Sequence, residues 1–144
     1  MRAAREAIEP LFKKTNLDFR MAWVFIDMMK EDTTETAAEA AARIPDSRVA
    51  AFHDSNHVLG RAMARRLGWK QHVAWDTYCI YNPGTLWSGT EPVPDAWFHQ
   101  LKEVDKSEAD PAQFRTGDDL RVALETSLKH AAAQPLPAHY LTST

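Results

Sequence analysis

A single cysteine, Cys79, stands among 144 residues, so no internal disulfide can form and no Cys-x-x-Cys pair exists. Positive charge is in deficit as well: 17 Lys and Arg face 20 Asp and Glu, a net charge of -3, which leaves no general field to hold a phosphate backbone. Nucleic acid is therefore not an expected partner. Long apolar runs are missing too. The stretch AWVFI ends at Asp27, far short of the roughly 18 apolar residues that would cross a membrane. The opening MRAAREAIEPLFKK is amphipathic and lacks the basic start and apolar run of a secretion signal, so a cytoplasmic protein without a membrane partner is expected. Glycine-rich phosphate loops, a G-x-S-x-G elbow, an H-E-x-x-H pair and any Glu/Asp pair at a spacing that points to acid-base work are all absent.

What is present argues for a folded domain. Hydrophobic residues make up 44% and include 5 Trp, enough for one core, so residues 1–144 read as one domain with its core over about 1–130 and a tail at 131–144. Ala4, Ile8, Leu11 and Phe12 recur at helical spacing, although Pro10 would remove a backbone bond and kink that helix. LDFRMAWVFID is aromatic and β-branched, as in a strand covered on both faces. Asp32, Thr33 or Thr34 can cap the alanine-rich helix that ends before Pro45. SRVAAFHD reads as a second strand, and Asp54 or Ser55 can cap the helix carrying Val58, Leu59, Ala62, Met63 and Leu67. This alternation implies parallel pairing. VAWDTYCIY, the turn NPG and TLWSG then read as a hairpin, AWFHQLKEV as one or two helical turns, and DDLRVALETSLKHAAA as a last helix.

Three stretches carry a resemblance. AWVFIDMMKEDTTETAAEAAARI is similar to the strand and helix that follow the active-site helix in thiol reductases and peroxiredoxins. RVAAFHDSNHVLGRAMARRLGW, with Asp54, Gly60 and Leu67-Gly68 matching, resembles the next strand and helix, and AWDTYCIYNPGTLW resembles the strand pair around a glycine turn. Over about residues 1–90 the chain thus resembles the thioredoxin-like superfamily. The resemblance implies an α/β three-layer sandwich with a central mixed sheet, two parallel strands plus a C-terminal hairpin, flanked by helices, and with the N-terminal strand missing. The reactive cysteine corner would precede Met1, and the proline that shapes the redox groove is absent from QHVAWDT. The expectation is a binding or interaction module without a redox centre, a cofactor or a metal. Its ligand would be a small molecule or a protein, and it would form a homodimer through the exposed sheet edge. Two alternatives compete: a fragment of a thiol-disulfide enzyme whose cysteine lies upstream, and a small-molecule enzyme using Asp76 with a nearby histidine.

The groove of that superfamily lies near the loop entering the third strand, which nominates His72, Trp75 and Asp76 as the ligand-binding residues. Asp76 is the one acid in an otherwise neutral strand, and alternation puts it with Tyr78 and Ile80 opposite Trp75, Thr77, Cys79 and Tyr81. Cys79 sits among apolar neighbours, where a thiol is inert. His53 and His57 have zinc-like spacing but no accompanying ligands, so no metal site is expected.

Overall fold

The computed structural model describes residues 2–14, 18–70, 73–102 and 109–137. Helices and strands follow as α1 (Arg2–Lys14), β1 (Met21–Ile26), α2 (Thr34–Ala42), β2 (Val49–Asp54), α3 (Val58–Arg66), β3 (Thr77–Ile80), β4 (Ala96–His99) and α4 (Gly117–Ala132). The mixed α/β class expected from the sequence is present. Among the described residues the strands form two pairs rather than one central sheet: β1 with β2, parallel, and β3 with β4, antiparallel.

Local chemistry accounts for most boundaries. Thr33 caps α2 through a capping box: its hydroxyl accepts from Thr36 N–H while the Thr36 hydroxyl accepts from Thr33 N–H. The turn into α3 is made by His57 at φ 56, and the Asp54 carboxylate accepts from the N–H groups of Val58 and Gly60. Asp54 therefore does the capping although it lies upstream of the helix. Gly60 is required by close approach, since a β-carbon there would stand 2.6 Å from Val73 Cγ1 and 3.1 Å from Ile26 Cδ1. α1 runs as one helix through Pro10, although the proline lacks the N–H that would bond to the Glu6 carbonyl.

The hairpin is a correction. TLWSG forms no strand, and β3 pairs with β4 across a long proline-containing excursion, so AWFH is extended rather than helical. The ends of that excursion are tied by Asp95, whose carboxylate accepts from the backbone N–H and the side-chain amide of Asn82, each at 2.7 Å.

Two apolar clusters sandwich β3 and β4. On one side Ala7, Ile8 and Leu11 of α1 meet Ile80 and the α4 residues Leu120, Leu124 and Ala131. On the other, Met63 and Ala64 of α3 meet Trp69, Ala74 and Leu101, with Cys79 and Trp97 against them. Alternation along β3 is thus as the sequence implied: Tyr78 and Ile80 face one cluster, Cys79 the other. Arg48 ties α1 to the strand that follows it. Its guanidinium is bidentate on Asp46, donates to the Phe12 carbonyl at 3.0 Å and lies over the rings of Phe12 and Phe19. It holds the Asp46 carboxyl at about 2, below the usual carboxylate range.

Candidate functional site

Between the two sheets lies a cavity of about 990 Å³. α1 and α4 wall it on one side through Ile8, Leu11 and Leu124, and α3 on the other through Leu59, Gly60 and Met63. Apolar side chains dominate the lining, and the exposed rings of Phe52 and Trp87 stand on its rim. A volume of this size suits a ligand of drug-like or peptide dimensions.

The way in which the strands line the cavity is distinctive. Every residue from Met21 to Met29 touches it, and so does every residue from Ala74 to Tyr81. Side chains alternate between faces along a strand, so a strand can offer all its residues to one space only through its edge. Hydrogen bonding agrees. Met21 N–H donates to the Arg48 carbonyl, and with the parallel register this directs residues 21, 23 and 25 towards β2. Ala22, Val24 and Ile26 therefore point their N–H and C=O groups the other way. In β3, Gln100 N–H donates to the Asp76 carbonyl, which assigns residues 76, 78 and 80 to β4 and turns Thr77 and Cys79 outward. No backbone bond joins β1 to β3 among the described residues.

Of the three nominated residues, Trp75 and Asp76 both line this cavity, whereas His72 lies outside the described residues. Trp75 is partly buried and packs on the α3 cluster. Asp76 does not belong to a strand as expected but precedes β3 with φ 46, a left-handed conformation that Asp and Asn tolerate better than other side chains. Asp76 is exposed by area; its carboxylate has no hydrogen-bond partner among the described residues, and the partial desolvation imposed by the surrounding chain raises its pKa. A carboxyl raised in the folded state favours the protonated protein: stability is fully present below the ordinary value of 3.8 and is lost as pH rises through the folded value. Asp76→Asn keeps the backbone conformation and removes the charge. Urea unfolding should show the variant gaining on the parent between pH 3.5 and pH 7, and a difference that is flat or of opposite sign across that range would show that the carboxyl is not desolvated.

Cys79 is partly exposed by area, but burial pushes its thiol up to about 12, only partly offset by a hydrogen bond with Tyr81. At neutral pH it is a thiol, not a nucleophilic thiolate. Tyr78, also raised by burial, donates its hydroxyl to Gln100 Oε1 at 2.6 Å.

Comparison of the chain with known protein families, curated proteins and solved structures gave no match.

A second polar group lies at the carboxyl ends of β1 and β2. His53 Nε2 contacts Asp27 Oδ1 at 2.6 Å and its Nδ1 contacts the Thr34 hydroxyl at 3.2 Å, while His57 Nε2 contacts the Asp27 carbonyl at 2.6 Å. A carboxylate can only accept, so His53 Nε2 carries a proton and donates it to Asp27. The two histidines thus converge on Asp27 from different sides rather than on a common cation. No group of three or more His, Cys, Asp or Glu able to hold a metal occurs among the described residues. Sequence spacing suggested the pair; the partner 26 residues upstream carried no sequence signal.

Proposed function

We propose that this chain is a thioredoxin-like binding module without thiol chemistry, which receives an apolar ligand in the cavity between its two sheets, with Trp75 and Asp76 at the entrance. The observation that carries this reading is the cavity itself: about 990 Å³, apolar, and walled by four helices and both sheets. The order helix, strand, helix, strand, helix, strand pair, helix supports the thioredoxin-like part of it. Against a catalytic role for sulfur stands the desolvated Cys79. The neighbours of Asp76 offer no acid-base partner among the described residues, which favours binding over turnover.

Dodecanol is a suitable probe of an apolar site. Saturating dodecanol should raise the melting temperature, since a ligand held only by the folded state at about 100 times its Kd adds about 2.7 kcal/mol. Ala22 is exposed and borders the cavity, so Ala22→Trp should block the shift while leaving the fold intact. Cys79→Ala should bind as the parent does, and the parent should show no insulin reduction. A shift that survives Ala22→Trp, or no shift at all, would remove this reading.

A further inference from the structure

The cavity has the dimensions and the chemistry of an empty strand position. Neighbouring strands stand about 4.8 Å apart, layers about 10 Å apart, and each residue advances about 3.3 Å, so a strand residue fills about 160 Å³ and six fill about 950 Å³. β1 has 6 residues, and the cavity of about 990 Å³, which also reaches Phe52 of β2 and Thr36 of α2, has room for a segment of that length. On one flank Ala22, Val24 and Ile26 offer backbone groups unpaired among the described residues; on the other Thr77 and Cys79 do the same. Edge groups of this kind seek partners, because a backbone donor or acceptor hidden from water without one is costly. A small apolar molecule would fill the volume and leave all of them unpaired.

Resting on the binding reading above, we infer that the ligand is an extended peptide segment, supplied by another polypeptide, that inserts as a strand between β1 and β3 and joins the two sheets into one. Its chemistry follows from its surroundings. α1 and α4 cover one face and α3 the other, so both rows of its side chains are buried and about six consecutive residues must be apolar, preferably β-branched or aromatic. Charge sets the flank. Ile26 and the Ala74 carbonyl both lie against Gly60, so the end of β1 and the start of β3 share one mouth of the cavity. Acidic groups collect there. Asp27 is engaged by His53 and Asp32 by the N–H groups of Met28 and Met29, but Asp76 has no partner among the described residues. The opposite end is mixed, with Asp18, Arg20 and Arg48. A segment with lysine or arginine just beyond its apolar stretch matches the Asp76 mouth. This is strand addition at two edges at once.

The test uses the full chain and an acetylated peptide, Val-Ile-Val-Phe-Ile-Val-Lys-Lys, read by amide hydrogen exchange and by displacement of dodecanol. Binding should slow exchange about tenfold or more at Ala22, Val24, Ile26, Thr77 and Cys79, with little change at Trp23 and Phe25, which are already paired to β2. A proline at the fourth position should weaken binding about tenfold or more, and Glu-Glu in place of Lys-Lys or Asp76→Asn should weaken it several-fold. Peptide binding without protection of those amides, or equal binding of the proline peptide, would overturn strand insertion. Should dodecanol bind and the peptide fail to displace it, the cavity reading stands and this inference falls; should neither bind, both fall. Protection of the same amides in the protein alone, rising with concentration together with a dimer mass, would make a second copy the occupant and overturn the assignment to a foreign segment.

Discussion

Leu120→Ala is expected to lower the unfolding free energy by about 3–5 kcal/mol. Leu120 is 0% exposed and lies where α4 crosses α1 and β3, in contact with the cluster of Ile8, Leu11, Ile80 and Leu124. Truncation removes buried methyl groups and leaves a cavity that the surrounding helices only partly close, and the second effect is what carries a leucine beyond its transfer energy. Urea unfolding at neutral pH measures it directly. Leu136→Ala, at a residue 50% exposed, serves as the reference and should cost less than about 0.5 kcal/mol. A loss at Leu120 no larger than that at Leu136 would mean that α4 does not pack as described.

His99→Leu should cost about 2–4 kcal/mol, with a cause that is polar rather than volumetric. His99 is 1% exposed, the one buried polar residue among the described residues. Its Nε2–H donates to the Asp110 carbonyl at 2.9 Å and its Nδ1 accepts from Leu101 N–H at 3.2 Å, so both ring nitrogens are used. Trp69, Trp97 and Phe114 surround the ring with centroids 5.8–6.2 Å from one another or from it. Removing the nitrogens strands a buried donor and a buried acceptor, each worth about 1–3 kcal/mol when left unpaired. His99→Phe separates the two effects: it keeps an aromatic ring in the cage and should still lose most of the stability. If the phenylalanine variant is as stable as the parent, packing alone holds β4 to the segment before α4.

Local chemistry made several elements legible without coordinates. The alanine-rich α2, with its threonine caps, and α3 and α4, with their apolar stripes, follow from spacing and capping, and β1 from a run of aromatic and β-branched residues. β4 was not legible, because AWFHQL carries aromatic residues suited to either state and its partner lies about 20 residues back, fixed by Asp95 and Asn82 rather than by a turn. The α/β class followed from the alternation of elements, whereas the separation of the strands into two pairs depends on contacts between distant segments. At the site, Trp75 and Asp76 were nominated because the groove implied by the resemblance lies near the loop entering the third strand; both border the cavity. The cavity itself could not be read from a string, since seven elements of the chain, four helices and three strands, meet there. Likewise the grip of His53 on Asp27 joins residues that no local pattern connects.

The Arg48 tether bears on how such a cavity could open. One guanidinium grips the Phe12 carbonyl and the loop entering β2, which fixes the first helix against the parallel pair, while the same helix packs through Ile8 and Leu11 on α4 and β3. Opening the cavity must therefore part the first helix from one of these two attachments, and the polar grip of a single side chain is the smaller of them.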